Sequence, residues 1–490
     1  MAVLRVGFWV ALASAAGLFG VVAIRTMLYP HEVAVSEGAV GLAVRSILEG
    51  VAPYDESRWL APPFVIVHYT PLYYWVTALA VRGLGTEFMA GRLVSTLATL
   101  GVAVVAGRIA HRKTRSISMG IAAAGLWLSF YQVTFWGTIQ RVDALAILFE
   151  SLGLLTFTRA RQRDRVGYGA VPWFVAAWAT KQVMIVGLLA CIVALAAEDR
   201  GRLARAARLA IAGGTSILGV LAALVVWSGG GFWTAAWDGT VSGHADPPWV
   251  IFLNAELFFG SPWNMVMLIL ASAAAWLIPG DRLLGIYLAL GMVTAVAFDA
   301  NLPRFFPPML AMAVLVPMLL EAVRAQPAVR AALLAALVLT FGAHQLYEMR
   351  SLVRERILTL HDGNERLEFA EAVRRHTSAG GPVLAQDVGM LLSAHRPVAM
   401  ADPLVFSILA GNGAWRPDIL VEGIRERRYE AVVLNRPLEA LEETEWTTLW
   451  IYPAREVLAD NYRLAETVTI DQHWRFLEPT RYFYVPVSSP

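Results

Sequence analysis

Apolar runs of about 17 to 25 residues recur from Val6 through Tyr347 and then stop. A helix of that length crosses the hydrocarbon core of a bilayer at about 1.5 Å of rise per residue. Hydrophobic residues make up 57% of the 490 and charged residues only 16%, at a mean hydropathy of +0.55. Soluble domains carry about 25% charged residues, so a soluble globular fold is excluded. The runs therefore predict a polytopic all-α membrane protein. The lone cysteine, Cys191, falls inside one of them, which leaves neither a disulfide framework nor a cysteine-based metal site to build within one chain.

Charge orders the runs. Arg108, Arg112, Lys113 and Arg115 form one basic cluster; Arg159, Arg161, Arg163 and Arg165 a second; Arg200, Arg202, Arg205 and Arg208 a third; Arg324 and Arg330 close the series. The positive-inside rule assigns these short loops to the cytoplasm. The stretch before Asp143, the segment from Ser228 to Ser261 and the turn from Asp299 to Pro303 are nearly free of Lys and Arg, and are expected to face outward. Roughly eleven crossings satisfy both sets: 6–28, 88–110, 116–136, 142–158, 168–180, 181–197, 207–228, 262–279, 283–299, 304–323 and 328–348. Val6 to Leu28 reads as a retained signal anchor, being too long for a signal-peptide core and lacking a small-residue cleavage site. This places the N-terminus inside and the C-terminus outside.

One apolar stretch, residues 71–85, would have to cross and return between two outward segments, so it is expected to be an interfacial or re-entrant helix. Its approach, His68-Tyr69-Thr70-Pro71-Leu72-Tyr73-Tyr74-Trp75, has the aromatic composition favoured at headgroup level. Two crossings between 168 and 197 give short helices meeting near Thr180-Lys181-Gln182, with Lys181 near the outer surface or inside a cavity. The expected division is a transmembrane module over 1–348 and a soluble extracytoplasmic domain over 349–490. In the tail a helix over Asn364–His376 precedes a strand at Pro382–Asp387. A helix ending at Ile424–Arg428 precedes another strand at Ala431–Leu434, and Tyr462–Val487 reads as two or three strands. That alternation predicts a small α/β domain. It contains neither a phosphate-binding glycine loop nor a nucleophile elbow, which points to acceptor binding or a structural role.

Chemistry is sought first in the outward loop 29–70, long and polar for so apolar a chain. Residues 37–50 have helical spacing: Val40, Val44, Ile47 and Leu48 share one stripe, and Glu37, Gly41, Arg45 and Glu49 lie on the next. The expected amphipathic helix lies flat on the membrane with Glu37 at its start; a helix N-terminus also favours a carboxylate for its dipole alone. Asp143, in Arg141-Val142-Asp143, opens an apolar span. Ionisable residues there are costly and tend to be functional, although an Asp at a helix start also serves as an N-cap. Lys181 and Arg304 are cations at outer helix ends that could simply snorkel. Two carboxylates and two cations on one face suit a phosphate-handling site.

The order Glu37-Gly38, Gly50, Pro53-Tyr54, Tyr69-Thr70-Pro71-Leu72-Tyr73-Tyr74, Gly91-Arg92-Leu93-Val94-Ser95, Arg141-Val142-Asp143-Ala144-Leu145 and Thr180-Lys181-Gln182 covers about the first 200 residues. It resembles membrane glycosyltransferases of the GT-C class, especially the bacterial branch related to protein O-mannosyltransferases and the aminoarabinose transferase. The resemblance implies a polyprenyl-phosphate sugar donor and an inverting transfer to a glycan, lipid or protein acceptor. It places the active site on the outer face of a bacterial plasma membrane. An acidic first-loop residue, matched by Glu37, is the base, and Asp143 matches a second-loop acid that orients substrate or helps hold metal. Lys181 and Arg304 are the candidate phosphate contacts, with His68 and Tyr69 beside the substrate.

Many relatives carry an Asp-Glu pair in the first loop. Here Ser36 stands in the Asp position, which leaves Glu32 as the alternative base. No cofactor is required by this reading and no ligand cluster is identified for a metal, though a divalent ion is compatible with it. Membrane lipid is an expected partner; nucleic acid is not. Two other readings stay open: a transporter or flippase of lipid-linked sugars, in which internal repeats and broken helices would be expected, and an inactive scaffold of envelope assembly.

Overall fold

The computed structural model describes residues 1–34, 36–85, 87–198, 203–238, 252, 255, 256, 258–278, 282–297, 302–354, 364–378, 380–411, 413–442, 450–469 and 480–487. It is predominantly helical, and helices occupy the expected apolar runs. These are α1 Ala2–Leu28, α2 Ser36–Leu48, α3 Leu72–Leu84, α4 Glu87–Thr114, α5 Ile117–Leu128, α6 Tyr131–Trp136, α7 Val142–Arg161, α8 Val171–Thr180, α9 Val186–Glu198, α10 Leu203–Trp227, α11 Pro262–Leu277, α12 Arg282–Ala297, α13 Phe306–Ala322 and α14 Pro327–Tyr347. Among the described residues, five helices are long and apolar enough to cross a membrane: Ala2–Leu28, Phe88–Thr114, Leu203–Trp227, Pro303–Ala322 and Pro327–Tyr347. Part of the expected outward segment 228–261 and most of the turn at 299–303 lie outside the described residues.

Several boundaries differ from expectation for identifiable reasons. The run 116–136 is broken after Leu128, where Ser129 turns its hydroxyl onto Leu126 O at 2.6 Å and Phe130 adopts an extended backbone (ψ 131°) before α6 begins. The crossing expected at 181–197 starts later, at Val186, because Lys181 is itself extended (φ −151°) and closes α8 through its N–H to Ala177 O. The stretch 71–85 forms α3, 13 residues long, or about 20 Å, short of the roughly 30 Å hydrocarbon core. Gly85 ends it in the left-handed region (φ 73°), donating to Val81 O, a conformation that glycine adopts without a Cβ penalty.

By internal contacts the chain forms two compact units that do not follow the linear order. The first comprises residues 1–27, 92–221 and the described part of 245–357. Its core is continuous across α1, α4, α5, α7, α9 and α11 to α14. α13 is buried along nearly its whole length, Phe306 through Leu320. A helix apolar on all sides has no solvent face to keep, so neighbours enclose it.

The second unit comprises 28–91, 222–244 and the described part of 358–490. Its tail contains α15 Asn364–His376, α16 Val388–Ser393, α17 Pro403–Gly411, α18 Asp418–Arg425, α19 Arg455–Asn461 and strands β1 Val383–Ala385, β2 Ala431–Leu434, β3 Tyr462–Thr469 and β4 Thr480–Pro486. The sheet runs β1-β2-β4-β3, with β1 and β2 parallel and the other pairs antiparallel. The expected α/β tail is therefore present; residues 470–479 of its last stretch lie outside the described residues.

The first loop and the tail, which the sequence reading separates, belong to the same unit. Phe64 N–H donates to Ala399 O at 2.9 Å and Ala401 N–H donates back to Phe64 O at 2.8 Å, a short parallel bridge. Trp415 Nε1–H donates to Trp59 O at 2.9 Å, and Leu42 and Val65 enter the core beneath the sheet. The sequence signal was Phe64-Val65-Ile66-Val67, a β-forming apolar run inside a polar loop.

Candidate active site

In the second unit, Glu37 occupies the first turn of α2 and is fully buried, as is Glu32 nearby. The two carboxylates do different things. Glu37 Oε2 accepts Val33 N–H at 2.7 Å, a local contact that turns the carboxylate back over the helix start. Glu32 Oε2 accepts Gly389 N–H at 3.1 Å, which ties the loop to α16. Backbone contact fixes this geometry: a Cβ on Gly38 would lie 2.2 Å from Gly389 N, and one on Gly389 would lie 2.3 Å from Glu32 Oε2. Glycine at both positions is what allows α2 and α16 to meet. In α2, Glu37 and Gly41 are buried as well as Val40 and Val44.

His68 and Tyr69 are half-buried in the same unit, their rings 4.1 Å apart and tilted by 49°. Tyr54 donates its hydroxyl to Tyr69 O at 2.7 Å. Burial holds the Tyr54 phenol well above its ordinary pKa, so it remains a neutral donor. Tyr73, from the same aromatic motif, is buried and donates to Gly91 O at 3.1 Å.

In the first unit, Asp143 lies in the first turn of α7 and is fully buried. It does not cap the helix. The N-cap position is Arg141, and the Asp143 carboxylate takes cations on both oxygens: Lys181 Nζ at 2.5 Å on Oδ1 and Arg141 Nε at 3.0 Å on Oδ2. Lys181 is 2% exposed, so it does not snorkel to water. Arg141 also lies over the Trp136 ring, 4.7 Å from its centroid, a cation–π contact. Arg304 is half-buried in a 3-10 turn at Leu302–Phe305 before α13, in the same unit.

Residues of the expected motifs build this cluster from α4. Ser95 donates its hydroxyl to Arg141 O at 3.2 Å, and Thr99, one turn on, donates to Gly137 O at 3.0 Å, so the 137–141 segment is pinned to one helix face. Arg92, fully buried, donates to Thr26 O at 2.8 Å at the end of α1. Sequence reasoning missed Glu150, buried two turns beyond Asp143 on α7. Its oxygens accept Gly187 N–H at 2.6 Å and Tyr287 O–H at 2.8 Å, linking α7 to α9 and α12. The available signal was a carboxylate inside an apolar run.

The structure thus brings Asp143, Lys181 and Arg141 into contact, places Arg304 in the same unit, and places Glu37, His68 and Tyr69 in the other. Among the described residues, no three His, Cys, Asp or Glu side chains stand together as metal ligands would.

Residues 68–227 match the family profile of dolichyl-phosphate-mannose-protein mannosyltransferases, the segment that contains His68, Tyr69, Asp143 and Lys181. No curated protein sequence matches the chain. The solved structure of ArnT from Cupriavidus metallidurans in the apo state is similar at a TM-score of 0.60 and 16% identity, covering 98% of this chain and 99% of that one. The same protein bound to undecaprenyl phosphate matches at 0.59 and 15%, covering 98% of both chains. The Archaeoglobus fulgidus oligosaccharyltransferase in the apo form matches at 0.48 and 13%, over 96% of this chain and 75% of that one. The fold is that of GT-C class membrane glycosyltransferases.

Proposed function

We propose that this protein is an inverting glycosyltransferase that moves a sugar from a polyprenyl-phosphate donor to a cell-envelope acceptor at the outer face of the membrane. The observation that carries the reading is the charge around Asp143. Both of its oxygens are taken by cations, Lys181 and Arg141, and Arg304 belongs to the same unit. Cationic side chains gathered at helix ends favour an anion, and a departing phosphate monoester supplies one. The likeness to a protein solved with undecaprenyl phosphate bound supports the same class of donor.

In this reading Glu37 takes the proton from the acceptor hydroxyl as its oxygen attacks the anomeric carbon. The new C–O bond forms as the bond from that carbon to the phosphate oxygen breaks. Direct displacement inverts the centre, and the electron pair leaves on the polyprenyl phosphate, held by Lys181 and Arg304. Phosphate departs without a strong acid, so one base suffices; a glycoside hydrolase usually needs two carboxyl groups. Asp143 orients Lys181 and Arg141, and His68 and Tyr69 contact the substrate. Glu32, bonded to Gly389 N–H, serves as an anchor in place of a base. Transfer from a defined polyprenyl-phosphate sugar to envelope acceptors, read by mass spectrometry, tests the proposal. A new glycosylated product that Glu37→Gln abolishes supports it; donor left intact by the wild-type protein across the acceptor panel overturns it.

A further inference from the structure

We infer that a second site, at the end of α10, binds the ammonium group of a zwitterionic lipid headgroup. This inference goes beyond the transfer reaction and does not rest on it. A cavity of about 300 Å³ is lined by Tyr54, Asp55, Glu56, Trp227 and Ser228, with Ala52 and Gly229 completing it. All belong to the second unit.

Its aromatic wall is fixed in place. The Trp227 ring meets Tyr54 edge-on at 6.1 Å and Trp75 at 5.9 Å, while Tyr54 is buried and hydrogen-bonded through its hydroxyl to Tyr69 O. The turn after α10 lies directly against the Tyr54 backbone. A Cβ at Gly231 would stand 2.1 Å from Tyr54 O, and Gly229 and Gly230 take left-handed φ values of 63° and 102°. Three glycines in a row allow a close approach that side chains would prevent. Trp227 nevertheless keeps 51% of its surface exposed.

The lining charge has one sign. Asp55 Oδ1 accepts both Ser57 N–H and Ser57 O–H and so caps the short helix that follows. The Glu56 carboxylate has no hydrogen-bond or ion-pair partner among the described residues, and no Lys, Arg or His lines the cavity. Two carboxylates repel an anion and attract a cation, and an indole face adds quadrupole attraction for ammonium groups. A phosphate or a carboxylate ligand is therefore disfavoured here.

Location identifies the source of that cation. α10 turns outward along its length, with Leu218 62% and Val226 81% exposed and an 18-residue apolar window only 17% buried. Such a helix faces lipid, and a Trp at its end sits at headgroup level. The ammonium groups concentrated there belong to zwitterionic phospholipids.

Native mass spectrometry of the full-length protein in detergent, given equal phosphatidylethanolamine and phosphatidylglycerol, tests this. Preferential retention of phosphatidylethanolamine is expected, with Glu56→Gln and Trp227→Leu each reducing that preference roughly tenfold. Trp233→Leu, which removes an exposed ring stacked on Trp237 outside the cavity lining, leaves it unchanged. Titration with ethanolamine by calorimetry separates the sources: saturable binding lost in Glu56→Gln without any lipid preference assigns the site to a soluble amine. Equal retention of both lipids together with no Glu56-dependent ethanolamine binding overturns the inference.

Discussion

Lys181 and Asp143, on segments 38 residues apart, meet at 2.5 Å with neither reaching solvent. Such a pair costs desolvation when formed, and losing one partner costs more, because the other remains buried and charged. Asp143→Asn is expected to destabilise the protein by about 3–5 kcal/mol, since it leaves Lys181 and Arg141 facing each other without their shared counter-charge. The double variant Asp143→Asn, Lys181→Met should recover part of that loss. Thermal unfolding of the four proteins in one detergent gives the cycle; additive losses would show that the two residues are not coupled.

Glu37→Gln keeps the shape of the side chain and removes its capacity to take a proton. Transfer should fall by about 10²–10⁴-fold, with unfolding temperature and elution volume unchanged. The same substitution at Glu32 should lower stability through its bond to Gly389 N–H and spare most of the turnover of the folded protein. If the two variants exchange these phenotypes, the base has been assigned to the wrong residue.

Arg304→Ala should weaken polyprenyl-phosphate binding by roughly tenfold or more, the loss of one charge-assisted contact, while folding is retained. Equilibrium binding of undecaprenyl phosphate at two salt concentrations measures it. Affinity equal to wild type would remove Arg304 from the phosphate site.

Gly38→Ala inserts a methyl group 2.2 Å from a backbone nitrogen of α16. Backbone cannot swing aside as a side-chain tip can, so the cost should be about 1–3 kcal/mol or more. The damage should appear as faster limited proteolysis in the tail. Gly17→Ala, where a Cβ meets nothing within 4 Å, is the matched control.

Glu466 Oε1 accepts Arg375 Nη2–H at 2.6 Å and Oε2 lies 2.7 Å from His376 Nε2. The hydrogen bond from Arg375, followed by that from His376, holds its carboxyl below the usual range. A carboxylate with a lowered folded-state pKa contributes stability above its unfolded value of about 4.3. That contribution is lost as pH falls through the lower folded value. Acidification from about pH 5 downward should therefore destabilise wild type more steeply than Glu466→Gln. The pair is partly exposed and screened by salt, so the difference should be small and shrink at high ionic strength. Parallel unfolding curves in acid would exclude the linkage.

The amino-acid sequence alone made the helical membrane architecture legible, because a bilayer core leaves an apolar run of about 20 residues little else to form. It also located the tail strands at Val383 and Ala431 and singled out Asp143 and Lys181, since charge in an apolar run is too costly to be casual. What it could not carry was pairing across distance. That Lys181 answers Asp143, that Ser95 holds the segment bearing Arg141, and that Glu150 joins Gly187 to Tyr287 depend on how helices register. The first loop illustrates the limit most clearly. Its spacing suggested a helix lying flat on the membrane with Glu37 at its start, and carried no sign that Gly38 meets Gly389 or that Phe64 meets Ala399. Hydrophobic periodicity records which faces a segment buries, and only the tertiary structure decides what buries them.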